Sequence, residues 1–142
     1  IMEAINKSQN FMKANKNGIP ILIGDFNAGP EASVECYELP LVHNYTDSVK
    51  TLLGEESSKK FFTWDHFNFL NTGGWHGFCP SQRCDHIFLT ERSKALAVEH
   101  FQKEPFIRIR NKGKNELITL SDHYGILLEF EVTTPQSKNV PV

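Results

Sequence analysis

IPILIGDFNAGP, residues 19–30, runs an apolar segment, Ile21-Leu22-Ile23, straight into Gly24, Asp25, Phe26 and Asn27 before Gly29-Pro30 turns the chain. The short apolar run predicts a strand buried on both faces. Upstream, Ile1, Ala4, Ile5, Ser8, Phe11 and Met12 recur at helical spacing, so residues 1–16 read as a helix stopped by Asn17-Gly18. Pro20 then biases the residue before it toward extended structure. Helix, glycine turn and apolar strand together predict mixed α and β layers.

A chain of 142 residues is one domain's worth. Apolar residues make up 39% and charged residues 23%, and the aromatic load is mostly 11 Phe, which favours a packed interior over disorder. The net charge of −2 offers no global field for nucleic acid or an anionic membrane, so any attraction of an anion must be local. Three cysteines, Cys36, Cys79 and Cys84, argue against a disulfide framework and lean toward a reducing, cytoplasmic compartment. No apolar run approaches transmembrane length, and no signal-peptide pattern opens the chain. The helical pattern begins at Ile1 without a capping residue, the look of a chain from which an upstream piece has been removed.

Beyond Pro30, residues 31–39 predict a short helix ended by Pro40. Residues 46–53 predict another, capped by Thr46 or Asp47 and stopped by Gly54. FFTWD (61–65) reads as a strand, 66–82 as a long structured loop, and RCDHIFLT (83–90) as a strand. Residues 95–101 and 106–110 are further strand candidates, with NKGKN (111–115) as a turn, and 125–132 form a confident strand. The domain is expected over 1–134, with 135–142 as a flexible tail.

Three times an apolar strand meets an acidic or imidazole group: Asp25/Asn27, Asp85/His86 and Asp122/His123. At one rim of a sheet these would make a phosphoester-hydrolysis set. A carboxylate can deprotonate water, an imidazolium can face a developing phosphorane, and an amide can donate to its oxygens. Carboxylates also suit Mg²⁺. Each pair has a plainer reading beside this one: an Asx turn at Asp25, an edge-strand ion pair of Arg83 with Asp85, and a capped loop at Ser121-Asp122-His123.

In order, GDFN (24–27), TWD (63–65), RCDHIF (83–88) and SDHYGI (121–126) resemble the C-terminal half of the endonuclease/exonuclease/phosphatase superfamily. That superfamily includes DNase I, abasic-site endonucleases, inositol polyphosphate 5-phosphatases, neutral sphingomyelinases and tyrosyl-DNA phosphodiesterases. The resemblance spans residues 19–132. It implies an α+β fold that is one half of a four-layer α/β/β/α sandwich, and a Mg²⁺-dependent (Mn²⁺ being the other candidate) phosphoesterase, most simply a phosphodiesterase. By the same resemblance Asp25 would orient and deprotonate water, and Asn27 would hold a phosphate oxygen. Asp85 would fix His123, His123 would stabilise the transition state, and Asp122 would sit at the metal. Trp64 would pack beneath the site or line the substrate groove, and Arg83 would contact substrate. His86 stands where many relatives carry Tyr or Arg.

The superfamily draws a metal-binding Glu, an Asn and a His from an N-terminal half, and residues 1–24 contain no such motif; Glu3 lies in the helix pattern. The resemblance therefore implies a half-domain that neither binds Mg²⁺ tightly nor turns over phosphodiesters alone. Its partners would be the other half and a phosphodiester, with self-association through the bared sheet face. A phospholipid or small phosphodiester is favoured over duplex DNA, because TWD with Asn68-x-Leu70 and the Arg83–Phe88 strand look sphingomyelinase-like. The alternative is a non-catalytic half-domain acting as a binding module.

Three features remain open. His76, Cys79, Cys84 and His86 could hold zinc or be loop aromatics and reduced thiols. Arg108, Arg110, Lys112 and Lys114 could contact phosphates or form a solvated hairpin. Trp75, Phe78 and their neighbours could stack on bases, insert into lipid or pack.

Overall fold

The structure is a computed structural model and describes residues 1–15, 17–71 and 79–133. Helices and strands are mixed, an α+β arrangement. In chain order the elements are α1 (Met2–Ala14), β1 (Leu22–Asp25), α2 (Val34–Val42), β2 (Thr46–Asp47) and α3 (Ser48–Lys59). They continue with β3 (Asp85–Leu89), β4 (Ser93–Phe101), β5 (Ile107–Asn111), β6 (Lys114–Ile118) and β7 (Gly125–Val132). The tail predicted over 135–142 lies outside the described residues.

β3 is the strand around which the rest is organised. It sits between β1 and β2 in a three-stranded sheet and pairs antiparallel with both. Because side chains alternate, β3 sends Phe88 to one face and Ile87 and Leu89 to the other. Phe88 joins Ala28, Tyr37 and Tyr45, with Leu22, Phe26 and Leu41 packed around them. Ile87 and Leu89 join Ala95, covered by Ile21, Leu52, Ile126, Leu128 and Phe130. This is the burial on both faces that a near-continuous apolar strand implies.

β1 departs from the expectation. Its burial on both faces fails at Ile23, which is 70% exposed. β1 is the edge of its sheet, paired with β3 alone, so one flank and much of one face stay open. Helix α1 likewise buries only Ile5 of its apolar face.

Two boundary differences have local causes. α2 begins at Val34 and carries Pro40 inside it. Pro40 is in the last turn, where its carbonyl accepts from the amides of His43 and Tyr45 as the chain leaves the helix. α3 is capped by Asp47, whose carboxylate accepts from Val49 N at 3.0 Å and Lys50 N at 3.2 Å. Gly54 does break it, with φ 78°, yet helical turns resume as far as Lys59. A Lys50–Glu55 ion pair at 2.6 Å spans that break.

FFTWD forms no strand. Trp64 makes single antiparallel bridges to Gln82 and to His123, and no ladder continues from them. β4, β5 and β7 are where the pattern places them, while β6 takes part of the expected 111–115 turn: β4 pairs with β7 along its length, and β5 and β6 form a hairpin between them in sequence. Lys112 (φ 46°) and Gly113 (φ 82°) make its two-residue turn, the left-handed pair that matches strand twist.

Candidate active site

The antiparallel register of β1 and β3 puts Asp25 directly opposite Asp85, at the end of the sheet where β1 finishes and β3 starts. The pairing extends one residue further, since Phe26 N donates to Cys84 O at 2.9 Å. The chain then reverses through Asn27, which has φ 46°. Asn27 N donates to Asp25 Oδ1 at 2.8 Å and its Nδ2 to Asp25 Oδ2 at 3.2 Å. The Asx-turn reading of this stretch therefore holds, and the turn itself orients the Asp25 carboxylate. Gly29 is required next: a Cβ there would lie 2.5 Å from the backbone oxygen of Arg83, so only glycine lets this loop lie against the chain entering β3.

A buried threonine joins that rim to a third segment. Thr63 Oγ1 accepts from Cys84 N at 2.9 Å and Asp85 N at 3.0 Å, while Thr63 O accepts from Tyr124 N at 2.6 Å. Residue 63 thus binds the start of β3 with its side chain and the residue after His123 with its backbone. The result is contact between His123 Nδ1 and Asp85 Oδ2 at 2.7 Å, with both side chains about one-quarter exposed. The hydrogen bond to Asp85 raises the His123 pKa above its usual value. Burial opposes this, and the charges of Asp85, Asp25 and Asp122 add to it. Nδ1 therefore donates to the carboxylate, leaving Nε2 as the group available to a ligand.

The Ser121-Asp122-His123 loop is pinned from the far side by two buried amides. Asn68 Nδ2 donates to Ser121 O at 3.2 Å and Asp122 O at 3.4 Å, and Asn71 Nδ2 donates to Asp122 O at 3.0 Å. Thr119 Oγ1 closes the network by donating to Asn68 Oδ1 at 3.1 Å. The sequence reading missed Asn71 and Thr119, and took Thr63 and Asn68 only as parts of a resemblance. A signal was present: Asp65, Asn68 and Asn71 stand three apart and build successive turns, Asn68 N donating to Asp65 O and Asn71 N to Asn68 O.

Asp25, Asp85 and His123 each offer a ligand atom, and these atoms lie within 4.8 Å of one another. Asn27, Asp122 and His123 line one cavity of about 220 Å³ with Trp64, Gln82, Cys79 and Cys84. Asp122 is exposed and outside the converging trio, its carboxylate accepting from Ser121 Oγ at 3.3 Å. That leaves it open to a cation, and a hard ion such as Mg²⁺ is commonly held by one or two carboxylates plus water and phosphate, so the donors present fit one. Trp64 is 5% exposed and sits beneath, its backbone bridged to His123.

Arg83 is not brought to this rim. Its guanidinium donates to both oxygens of Asp47, at 2.7 and 2.5 Å, and both side chains are 1% exposed. Tyr37 OH donates to the same carboxylate at 2.6 Å. Burial opposes ionisation of Asp47, yet Arg83's hydrogen bonds and charge overcome it and hold the carboxyl below its usual range. Arg83 thus anchors the helix cap to the β3 approach, and substrate contact from it has no geometric basis.

Of the zinc candidates, His86 is buried with Nε2 at 2.6 Å from the Ala28 carbonyl, burial pushes the Cys84 thiol up to about 12, and Cys79 is an exposed free thiol. His76, Trp75 and Phe78 lie outside the described residues. A larger cavity of about 590 Å³ lies between α1 and the α2–β2 connection; its imidazole, His43, meets the Gln9 amide at 3.3 Å, and Glu91 also lines it. Among the described residues no helix is long and apolar enough to cross a membrane. No protein-family model matches the chain, and no curated protein matches it.

Proposed function

We propose that this chain is one half of a four-layer α/β/β/α sandwich of the endonuclease/exonuclease/phosphatase type and supplies one side of a Mg²⁺-dependent phosphodiesterase site. The observation that carries the reading is the 2.7 Å contact of His123 with Asp85, set directly across the sheet from Asp25. Asp25 accepts the proton of the attacking water. Asn27 spends its amide on Asp25 in the free protein and turns it to a phosphate oxygen when substrate arrives. His123, whose pKa the hydrogen bond to Asp85 raises, donates from Nε2 to the oxygens that gain charge in the transition state. Asp122 is the carboxylate on this chain that would hold Mg²⁺, which when bound supplies charge neutralisation at the phosphate.

The second reading, a binding module without turnover, is favoured by the Asp25–Asn27 turn, in which the Asp25 carboxylate and the backbone and side-chain amides of Asn27 are spent on each other at 2.8 and 3.2 Å. The two are separated by hydrolysis and binding of bis(p-nitrophenyl) phosphate, with Mg²⁺ and with EDTA, using the product of the complete reading frame. Turnover that needs Mg²⁺ and falls about 10²-fold or more in Asp25→Asn and His123→Gln supports the enzyme. Binding without turnover supports the module, and neither binding nor turnover sinks both.

A further inference from the structure

We infer that the β5–β6 hairpin and the turn at residues 67–70 form a docking surface for an anionic phospholipid bilayer. In the hairpin's antiparallel register Arg108 lies opposite Leu117 and Arg110 opposite Asn115, so these four share one face. Phe106, whose amide donates to Ile118 O at 3.0 Å, continues the alternation onto that face. Glu116 belongs to the opposite face, where its carboxylate accepts from Asn111 Nδ2 at 3.3 Å. The face therefore reads aromatic, basic, basic on one strand with an exposed Leu117 beside them, and no acid among them.

The patch continues onto the neighbouring turn. Phe67, Phe69, Lys103 and Leu117 line one cleft of about 360 Å³, with Glu104 as its single acid among the described residues. Phe67 is 83% exposed, and Phe106 and Leu117 are each more than half exposed. Large apolar side chains clustered in water mark an interaction surface. Their interleaving with arginines fits a headgroup layer, in which apolar tips enter the acyl boundary while cations stay among phosphates. A nucleic acid would leave Leu117 with nothing to stack on or hydrogen-bond to. The chain's net charge of −2 makes this a local attraction.

The surface is tied to the candidate site. Asn68, between the two phenylalanines, holds the carbonyls of Ser121 and Asp122. A bilayer that seats Phe67 and Phe69 thus faces the loop carrying His123, and the catalytic part of that statement rests on the phosphodiesterase reading. Docking itself does not.

The experiment is flotation of the full chain with vesicles of phosphatidylcholine alone and of phosphatidylcholine with phosphatidylserine, which needs no turnover and so fails independently of the enzymatic reading. Binding is expected on the anionic vesicles only, weakening as salt rises. Arg108→Gln with Arg110→Gln is expected to bind about thirtyfold more weakly, from about 1 kcal/mol per basic residue near the surface. Phe67→Ser is expected to bind at least about tenfold more weakly, with an unchanged salt dependence. Equal binding to both vesicles, no binding, or variants that bind like the wild type overturn the inference. So does tighter binding to a duplex oligonucleotide that Phe67→Ser leaves untouched, which reassigns the basic face to nucleic acid.

Discussion

Asp85 is the strand partner of Asp25 and the hydrogen-bond partner of His123, so one residue of β3 joins both halves of the candidate site. Asp25 and Asp85 are 60 positions apart in the numbering, and His123 lies 38 beyond Asp85. The antiparallel register sets the two acids directly opposite each other. His123 then enters from a separate segment held by Thr63.

The first prediction concerns that pair. Asp85→Asn removes the main cause of the raised His123 pKa, so the imidazole is expected to titrate lower, as followed by its ring proton shifts in NMR. The sign for stability follows. A raised folded-state pKa contributes stability that is fully present below the unfolded value near 6.5 and is lost as pH rises through the folded value. The wild type should thus lose this increment as pH rises through the folded value, and Asp85→Asn should lack it. An unmoved His123 titration would show that Asp85 does not control it.

Thr63→Val deletes one hydroxyl that serves two backbone donors, the buried Cys84 N and the partly buried Asp85 N. The expected loss is about 1–3 kcal/mol for each amide left without an acceptor, read from urea unfolding. Thr63→Ser keeps the oxygen and should recover all but about 0.8 kcal/mol, the share of the missing methyl. If Val and Ser behave alike, the hydroxyl is not what holds the start of β3.

Arg83→Met leaves the Asp47 carboxylate buried without its cation, and a loss of about 3–5 kcal/mol is expected. Arg83→Met with Asp47→Leu removes the stranded charge as well and should recover part of that loss, although Asp47 also caps α3. Because Asp47's folded pKa is depressed, its contribution is present above the unfolded value near 3.9 and disappears as pH falls through the folded one. Acid unfolding of the wild type should therefore be steeper than that of the double variant. Equal acid profiles would remove Asp47 from the acid response.

Strand identity was largely legible because apolar periodicity is local: β3, β4, β5 and β7 fall where alternation or an unbroken apolar run places them. β1 was legible as a strand but not as an edge, since the residues of Ile21-Leu22-Ile23 do not say how many neighbours they will have. FFTWD misled for a related reason. Its aromatic, β-prone composition is spent on packing and on isolated bridges, because Thr63 and Trp64 meet two different segments one residue at a time.

For the candidate site the division is sharper. Asp25, Asn27, Asp85, Asp122 and His123 stood out in the chain because each interrupts an apolar run with a group that can titrate or donate. Their supports did not, since Thr63 looks like an ordinary strand residue and Asn68 and Asn71 like loop polar residues until burial turns each hydrogen bond into an obligation. Arg83 shows the converse. Two positions before Asp85, it looked like a substrate contact, and only packing reveals that its guanidinium is taken by Asp47 from 36 residues away. By itself the sequence determined which residue types could do chemistry and which segments extend or coil, both set by neighbours within a few positions. Which groups face one another was decided by the register of β1 on β3 and by the threonine that stitches in His123, because pairing across long separations depends on contacts no local pattern encodes.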